Sequence, residues 1–421
     1  MNSRWVTGLA LAGVLVAGTT GSAQTIESIT FEDAIRRATT ANPGVQRAAA
    51  GIMRAEALLQ QVRARLRPSV DASFSTNVID PVVQFSGTSI NPRTQTVTGA
   101  TVAIPILTSV RWAERAQAAD QILVSQASAA DVRRQVALAT AEAYLVIIAQ
   151  RRVLERNDRS RENALAHYTY AMQRFEGGIG SRLNMLRAQQ ELSSDEALVE
   201  DAQLSVRRAQ EALGVLVAAD GPVDASAEPM FEVAGLDGPV GVPLRTDIQF
   251  LAARQSAAER VLSDTWKDSL PSVSALFAPQ YLAPSGLFVQ PRSVRVSLTF
   301  SVPLFDGAER RARTNERHAL LDSVKAERLG VERLATSEVR TAREAVRLTE
   351  RALERARAAT SQADEVVSIT DVAFREGATT NIEVIDAQRR ARDAGTAAAI
   401  AEDAVRRARL ELLVALGRFP Q

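Results

Sequence analysis

Residues 293–305 read Ser293-Val-Arg-Val-Ser-Leu-Thr-Phe-Ser-Val-Pro-Leu-Phe305 and run directly into Asp306-Gly-Ala-Glu-Arg-Arg-Ala-Arg313, the start of a long charged, Ala-rich stretch. From Ser293 to Val302 polar and apolar residues alternate strictly, the period of a strand with one wet and one dry face. Pro303 has no N–H to give to a ladder, so pairing is expected to weaken there. Leu304 and Phe305 are expected to pack in the transition, with Asp306 as N-cap of the following helix. A strand feeding straight into a long helix is an unusual junction, and the chain makes it twice. Val102-Ala-Ile-Pro-Ile-Leu107 precedes a second such stretch.

That recurrence is part of a larger one. Gly178-Ile-Gly-Ser-Arg-Leu-Asn-Met-Leu-Arg-Ala-Gln189 is echoed by Gly377-Ala-Thr-Thr-Asn-Ile-Glu-Val-Ile-Asp-Ala-Gln388, Val206-Arg-Arg-Ala209 by Val405-Arg-Arg-Ala408, and Arg67-Pro-Ser-Val70 by Leu270-Pro-Ser-Val273. Each half is far longer than a solenoid unit, so the pattern reads as a duplicated domain. Residues 24–217 form the first repeat, with strands at 68–85 and 93–107 and a helical hairpin at 108–217. Residues 218–245, where Gly, Pro and Asp concentrate, form an inter-repeat linker or equatorial segment. Residues 246–421 form the second repeat, with strands at 271–284 and 292–305 and a hairpin at 306–418. Thr30-x-x-Asp33 is a variant capping box, and Asn42-Pro43 is an N-cap followed by proline at the first helical position. In the hairpins Ile122, Ala129, Val136 and Ala143 hold one heptad position, and Val339, Val346, Leu353 and Val367 belong to the same seven-residue pattern in the second copy. Such spacing indicates supercoiled helices. Glycines at 177–178 and 377 break the rods, and a return helix follows each.

Bulk properties narrow the possibilities. With 50 Lys and Arg against 49 Asp and Glu there is no basic excess, which argues against a nucleic-acid binder. There is no cysteine, so neither disulfides, thiolate metal sites nor a lipidated N-terminal Cys are expected. Arg4, the apolar run from Trp5 to Gly18 and Gly21-Ser-Ala23 fit a signal peptide (residues 1–23) cleaved near Ala23. Beyond it no apolar run reaches the roughly 20 residues of a membrane-spanning helix, so any membrane entry must be as β-structure. His167 and His318 are the only histidines and fall in different copies; no phosphate loop, metal motif or activated nucleophile is present, and neither enzyme activity nor a cofactor is expected. Four long strands per chain cannot close a transmembrane barrel, since the smallest have about eight. They could span a bilayer only by pooling strands among copies.

Asn42-Pro43, Pro68, Val302-Pro-Leu-Phe-Asp-Gly307 with Arg310-Arg-Ala312, and the paired tips at Gly178 and Gly377, in that order on a duplicated frame, resemble the outer membrane efflux protein family, the TolC-like exit ducts. The resemblance covers essentially the whole mature chain. It implies a mixed, mainly α fold with four transmembrane β-strands per chain, completing a 12-stranded barrel in a homotrimer, above a helical periplasmic tunnel. It implies a passive outer-membrane channel of a tripartite efflux or type I secretion system, opened at its tip by a periplasmic adaptor that links it to an inner-membrane pump. Its partners would be its own copies, the adaptor, the pump and the outer-membrane lipid, with no nucleic acid. By resemblance the periplasmic gate falls on Glu383, Asp386, Asn184, Arg187 and Thr379, with Arg182 or Arg187 as a partner for Asp386. Thr379 stands where some members carry an arginine latch. Adaptor docking falls on the small or polar tips Gly178, Gly180, Ser181, Arg182, Gly377, Ala378 and Thr379. Pro68, Pro105, Pro271 and Pro303 mark barrel–tunnel junctions. Phe74, Phe85, Phe277, Tyr281, Phe288 and Phe300 are candidates for the membrane face or its interfaces, and Trp112 for the periplasmic boundary.

Two other classes compete. A periplasmic adaptor would carry one hairpin and a lipoyl-like β-domain rather than a duplication. A structural coiled-coil envelope protein would leave the alternating strands without a use.

Overall fold

The structure, a computed structural model, describes residues 26–233 and 245–419. The signal-peptide segment and residues 234–244 of the inter-repeat segment lie outside the described residues. The first half runs β1 (Glu27–Ile29), α1 (Phe31–Ala41), α2 (Pro43–Ala64), β2 (Ser69–Val78), β3 (Gln84–Phe85), β4 (Thr88–Ser89), β5 (Thr94–Thr108), α3 (Ser109–Glu176) and α4 (Arg182–Leu216). Then come β6 (Val223–Ala225), α5 (Thr246–Ser263), β7 (Ser272–Ala283), β8 (Arg292–Ser301), α6 (Glu309–Arg375) and α7 (Asn381–Ala415).

Local chemistry starts these helices where expected. Thr30 Oγ1 accepts the Asp33 N–H at 3.2 Å and opens α1. Asn42 Oδ1 accepts the Gly44 N–H at 2.8 Å with Pro43 at the first position of α2. Its Nδ2 donates to the Leu216 carbonyl at 2.9 Å, so one side chain starts α2 and ends α4. α3 has 68 residues and α6 has 67. At about 1.5 Å per residue each rod is on the order of 100 Å long. α3 packs with α4 and α6 with α7 as two hairpins, and α7 also lies along α3.

The four long strands form one antiparallel sheet in the order β2-β5-β7-β8. Register places Val102 between Val70 and Phe277, and Val296 beside Phe277. Directly opposed residues share a face. One face therefore carries Val70, Ala72, Phe74, Val102, Ile104, Val273, Ala275, Phe277, Val294, Val296, Leu298 and Phe300. The other is largely polar, with Asp71, Ser73, Ser75, Gln280, Arg295, Ser297 and Thr299. Phe74, Phe277, Tyr281, Phe288 and Phe300 are exposed, as is Trp112; the Phe85 side chain lies outside the described set.

Several boundaries depart from expectation. The first strand ends at Val78 rather than at 85, because the chain turns into the two-residue pairing of β3 with β4. The last strand ends at Ser301, paired with Ser272, so Val302 already lies outside the ladder. Pro105 lies within β5 rather than at its end: it sits opposite Ser274, a bulge at Ile106 follows, and Leu107 pairs with Val273 just before α3. The bulge absorbs the missing donor and keeps Leu107 on the apolar face. Pro68 and Pro271 immediately precede β2 and β7. Leu304 and Phe305 are not packed; they are 88% and 89% exposed. α6 begins at Glu309 with Ala308 as N-cap at φ +70°, not at Asp306, yet the Asp306 carboxylate still accepts the Arg310 N–H at 3.0 Å.

The main core sits where both repeats meet. Tyr144, Leu145 and Ile147 of α3 are fully buried against Ile29, Leu213, Val223 and Leu410. Each such aliphatic side chain contributes on the order of 1.5–3 kcal/mol by leaving water. Residues 218–233 are not a loose linker: β6 pairs in parallel with β1. The Tyr144 hydroxyl donates to the Ala227 carbonyl at 2.8 Å and accepts the Ala227 N–H at 3.3 Å. Glu228 bonds Arg152 of α3 and Arg406 of α7, strapping one repeat to the other.

Candidate functional site at the hairpin tips

Both rods end in the same way. At the end of α3 the Gly178 N–H bonds the Phe175 carbonyl at 3.0 Å and the Ile179 N–H bonds that of Arg174 at 3.0 Å. At the end of α6 the Gly377 N–H bonds Phe374 at 3.1 Å and the Ala378 N–H bonds Ala373 at 2.8 Å. This paired pattern needs a left-handed residue, and the glycines supply it at φ +75° and +77°. Ser181 then caps α4, its Oγ accepting the Asn184 N–H at 3.2 Å. Thr380 caps α7 in a reciprocal capping box with Glu383.

The expected site residues divide between the tips. Gly178, Ser181, Arg182, Arg187, Gly377, Ala378, Glu383 and Asp386 are exposed, while Gly180, Asn184 and Thr379 are half-buried. Gly180, Asn184, Arg187, Thr379 and Phe374 help line a cleft of about 490 Å³ between the two tips. Glu383 receives the Thr380 N–H at 3.4 Å, an end-of-helix role that sequence reasoning did not give it. Asp386 does not meet Arg182 or Arg187; it pairs with Arg390 of its own helix at 3.0 Å, because a residue one turn along is always within reach.

The polar groups that join the hairpins were not singled out from sequence. Glu191 and Asp195 of α4 are buried. Arg389 of α7 bonds both Glu191 oxygens, at 2.9 and 2.8 Å. Arg392 bonds Asp195 at 2.7 Å, and Ser160 of α3 donates to the other Asp195 oxygen at 2.8 Å. Nearer the tips, His167 Nε2 lies 2.6 Å from Asn381 Oδ1, and Asn381 Nδ2 donates to the Asn184 carbonyl at 3.3 Å. Burial pushes the His167 pKa down and outweighs the Asn381 bond and the Asp371 charge, which push the other way. Among the described residues no cluster of His, Asp or Glu could hold a metal ion, and no helix is long and apolar enough to cross a membrane.

An amphipathic sheet with an exposed apolar face, carried on two long helical hairpins of which neither has a membrane-spanning helix, defines a class of protein that, among the described residues, meets lipid with strands. The outer membrane efflux protein family matches residues 34–219 and 244–418, and the chain belongs to it. The fold is similar to that of the CmeC outer membrane channel of Campylobacter jejuni (15% identity, TM-score 0.78, 99% of this chain and 94% of that one). It is also similar to the outer membrane protein VceC of Vibrio cholerae (17%, 0.75, 92% and 96%) and to the open state of the MtrE channel of Neisseria gonorrhoeae (17%, 0.77, 100% and 100%). A comparison with curated proteins gives no match. Family membership makes the protein an outer-membrane exit duct, a transport channel rather than an enzyme.

Proposed function

We propose that three copies of the chain close their sheets into one 12-stranded barrel, continued by a helical tunnel into the periplasm. The complex is then the passive exit duct of a tripartite efflux or type I secretion system, opened at its tips by a periplasmic adaptor coupled to an inner-membrane pump. The observation that carries this is the sheet: its apolar face is exposed, and among the described residues both edge strands, β2 and β8, are unpaired on their outer sides. Unpaired backbone is not tolerated in hydrocarbon, and edges vanish only by closure. Pairing β2 of one copy with β8 of the next supplies that closure. Heat-modifiable trimers in the outer-membrane fraction are the expected result; a freely soluble periplasmic monomer would overturn the reading.

Within this duct the tips form the gate. Glu383 and Asp386 are exposed and one turn apart, and three-fold repetition makes each a ring of carboxylates that favours cations. Replacing both with Ala should raise single-channel conductance and weaken block by multivalent cations. Unchanged currents would remove the pair from the gate. Gly178, Gly180, Ser181, Arg182, Gly377, Ala378 and Thr379 present the small or polar surface on which the adaptor docks.

A further inference from the structure

His167 is one of two histidines in the chain, and the two have opposite surroundings. His318 is exposed on α6, whereas His167 is 6% exposed inside the contact between the hairpins. Its partner Asn381, 3% exposed, is the first residue of α7 after the second tip. Asn381 Nδ2 is committed to the Asn184 carbonyl, which leaves Oδ1 to face His167 and assigns the proton to Nε2 of a neutral ring. One amide thus holds α3 and α4 of the first hairpin to α7 of the second. The ring packs against Phe374 of α6, with centroids 5.3 Å apart.

We propose that His167 and Asn381 are a positioning pair that pins the two hairpin tips together, and that protonation of His167 at Nδ1, which leaves the Nε2–H bond in place but puts a charge into the buried contact, drives the tips apart. The inference rests on the tips being the gate. The charged neighbours do not offset a buried imidazolium. On α6, Asp371 acts on the ring but is paired with Arg375 at 2.7 Å. On α3, Arg174 stacks over Tyr170. On α4, Arg187 lines the cleft between the tips, and on α7 Glu383 and Asp386 are engaged by Thr380 and Arg390. When the tips part, the ring returns to water and its ordinary pKa near 6.5. The parted state then binds the proton more readily, so the pin holds above about pH 6.5 and weakens as pH falls below it.

The absence of cysteine allows a direct test in the full trimer. Spin labels on Ile179→Cys and Ala378→Cys, with labelled chains diluted among unlabelled ones, report the distance between the tips. Between pH 7.5 and 5 the distribution should shift to longer distances by several Å. His167→Gln keeps a donor for Asn381 but does not titrate, so it should stay closed at both pH values. Asn381→Ala should be parted at both. No shift in the parent protein, or an equal shift in His167→Gln, would overturn the pin. Conductance recorded on the same trimers separates the two ideas: tips that part on acidification without a change in current leave the pin standing and refute the gate.

Discussion

The two hairpins are copies in sequence but not in environment. At the offset that relates Gly178 to Gly377, His167 corresponds to Val366 and Leu186 to Ile385. His167 is buried while Val366 is 50% exposed; Ile385 is 7% exposed while Leu186 is 46% exposed. Thus α3 is covered by α7, but among the described residues nothing covers the matching face of α6, and α4 presents an uncovered version of the face that α7 uses. Val366, Ile369 and Val372 on α6, and Leu183 and Leu186 on α4, are the open halves. A contact made once between unlike surfaces and left open at both ends is heterologous, and it ends in a ring when the rotation closes. If the three copies proposed above close into a ring, these open halves meet as α6 of one copy on α4 of the next.

The strongest way to break this comparison is to charge the open face. Val366→Arg with Ile369→Arg should lower the yield of heat-resistant trimer at least tenfold. Burying an unpaired guanidinium costs several kcal/mol, and about 1.4 kcal/mol already makes a factor of ten. Undiminished trimer would show that α6 faces solvent or lumen instead. Next comes the contact made inside the chain. Arg392→Ala leaves Asp195 buried with only Ser160 as partner and should cost about 3 kcal/mol. Hydrogen exchange along α7 near Arg392 should accelerate about a hundredfold. Arg390→Ala, two positions away, removes only an exposed pair with Asp386 and should cost less than about 0.5 kcal/mol.

Those two arginines show what the sequence could and could not disclose. The strand periods, the heptads, the caps at Thr30 and Asn42 and the glycine tips are local signals, and each follows from backbone chemistry within a few residues. β1 and β6 are three residues each, too short for a period. Glu191, Asp195, Arg389 and Arg392 sit in charge-rich helices where solvated and buried charges have the same spacing; only the contact of α4 with α7 tells them apart. His167 was visible as a residue but not as a site, since its partner lies more than two hundred positions away. Asp386 shows the reverse case: within the chain its partner is Arg390, one turn along the same helix, rather than an arginine of the other hairpin.

The caps sharpen the comparison on a smaller scale. Ser181→Ala removes one bond to the Asn184 N–H, whereas Thr380→Ala combined with Glu383→Ala dissolves a box that satisfies backbone N–H groups at both positions. Each cap is worth about 1 kcal/mol, with Thr380 the larger. Faster exchange in the first turn of α7 than in that of α4, when the two variants are compared, is the expected outcome. Equal fraying would mean that the tips are held by packing alone.

The smallest effect concerns the other end of the same contact, where Glu228 ties Arg152 of α3 to Arg406 of α7. Burial alone would raise the Glu228 pKa, but the hydrogen bond from Arg152 and the charge of Arg406 outweigh it and hold the carboxyl below its usual value of 4.5. A carboxylate that protonates less readily folded than unfolded adds stability above about pH 4.5, and that contribution is lost as pH falls through its lowered pKa. The strap therefore weakens in acid, as the His167 pin does, but in a lower window set by a carboxylate rather than an imidazole. Thermal unfolding followed from pH 7 to 3.5 should show a shallower acid slope in Glu228→Gln than in the parent protein. The pH 7.5-to-5 response at the tips should be unaltered in that variant. If Glu228→Gln instead abolished the response at the tips, the hairpins would be moving as one rigid body about the strap, and the two ends could not be treated as separate contacts.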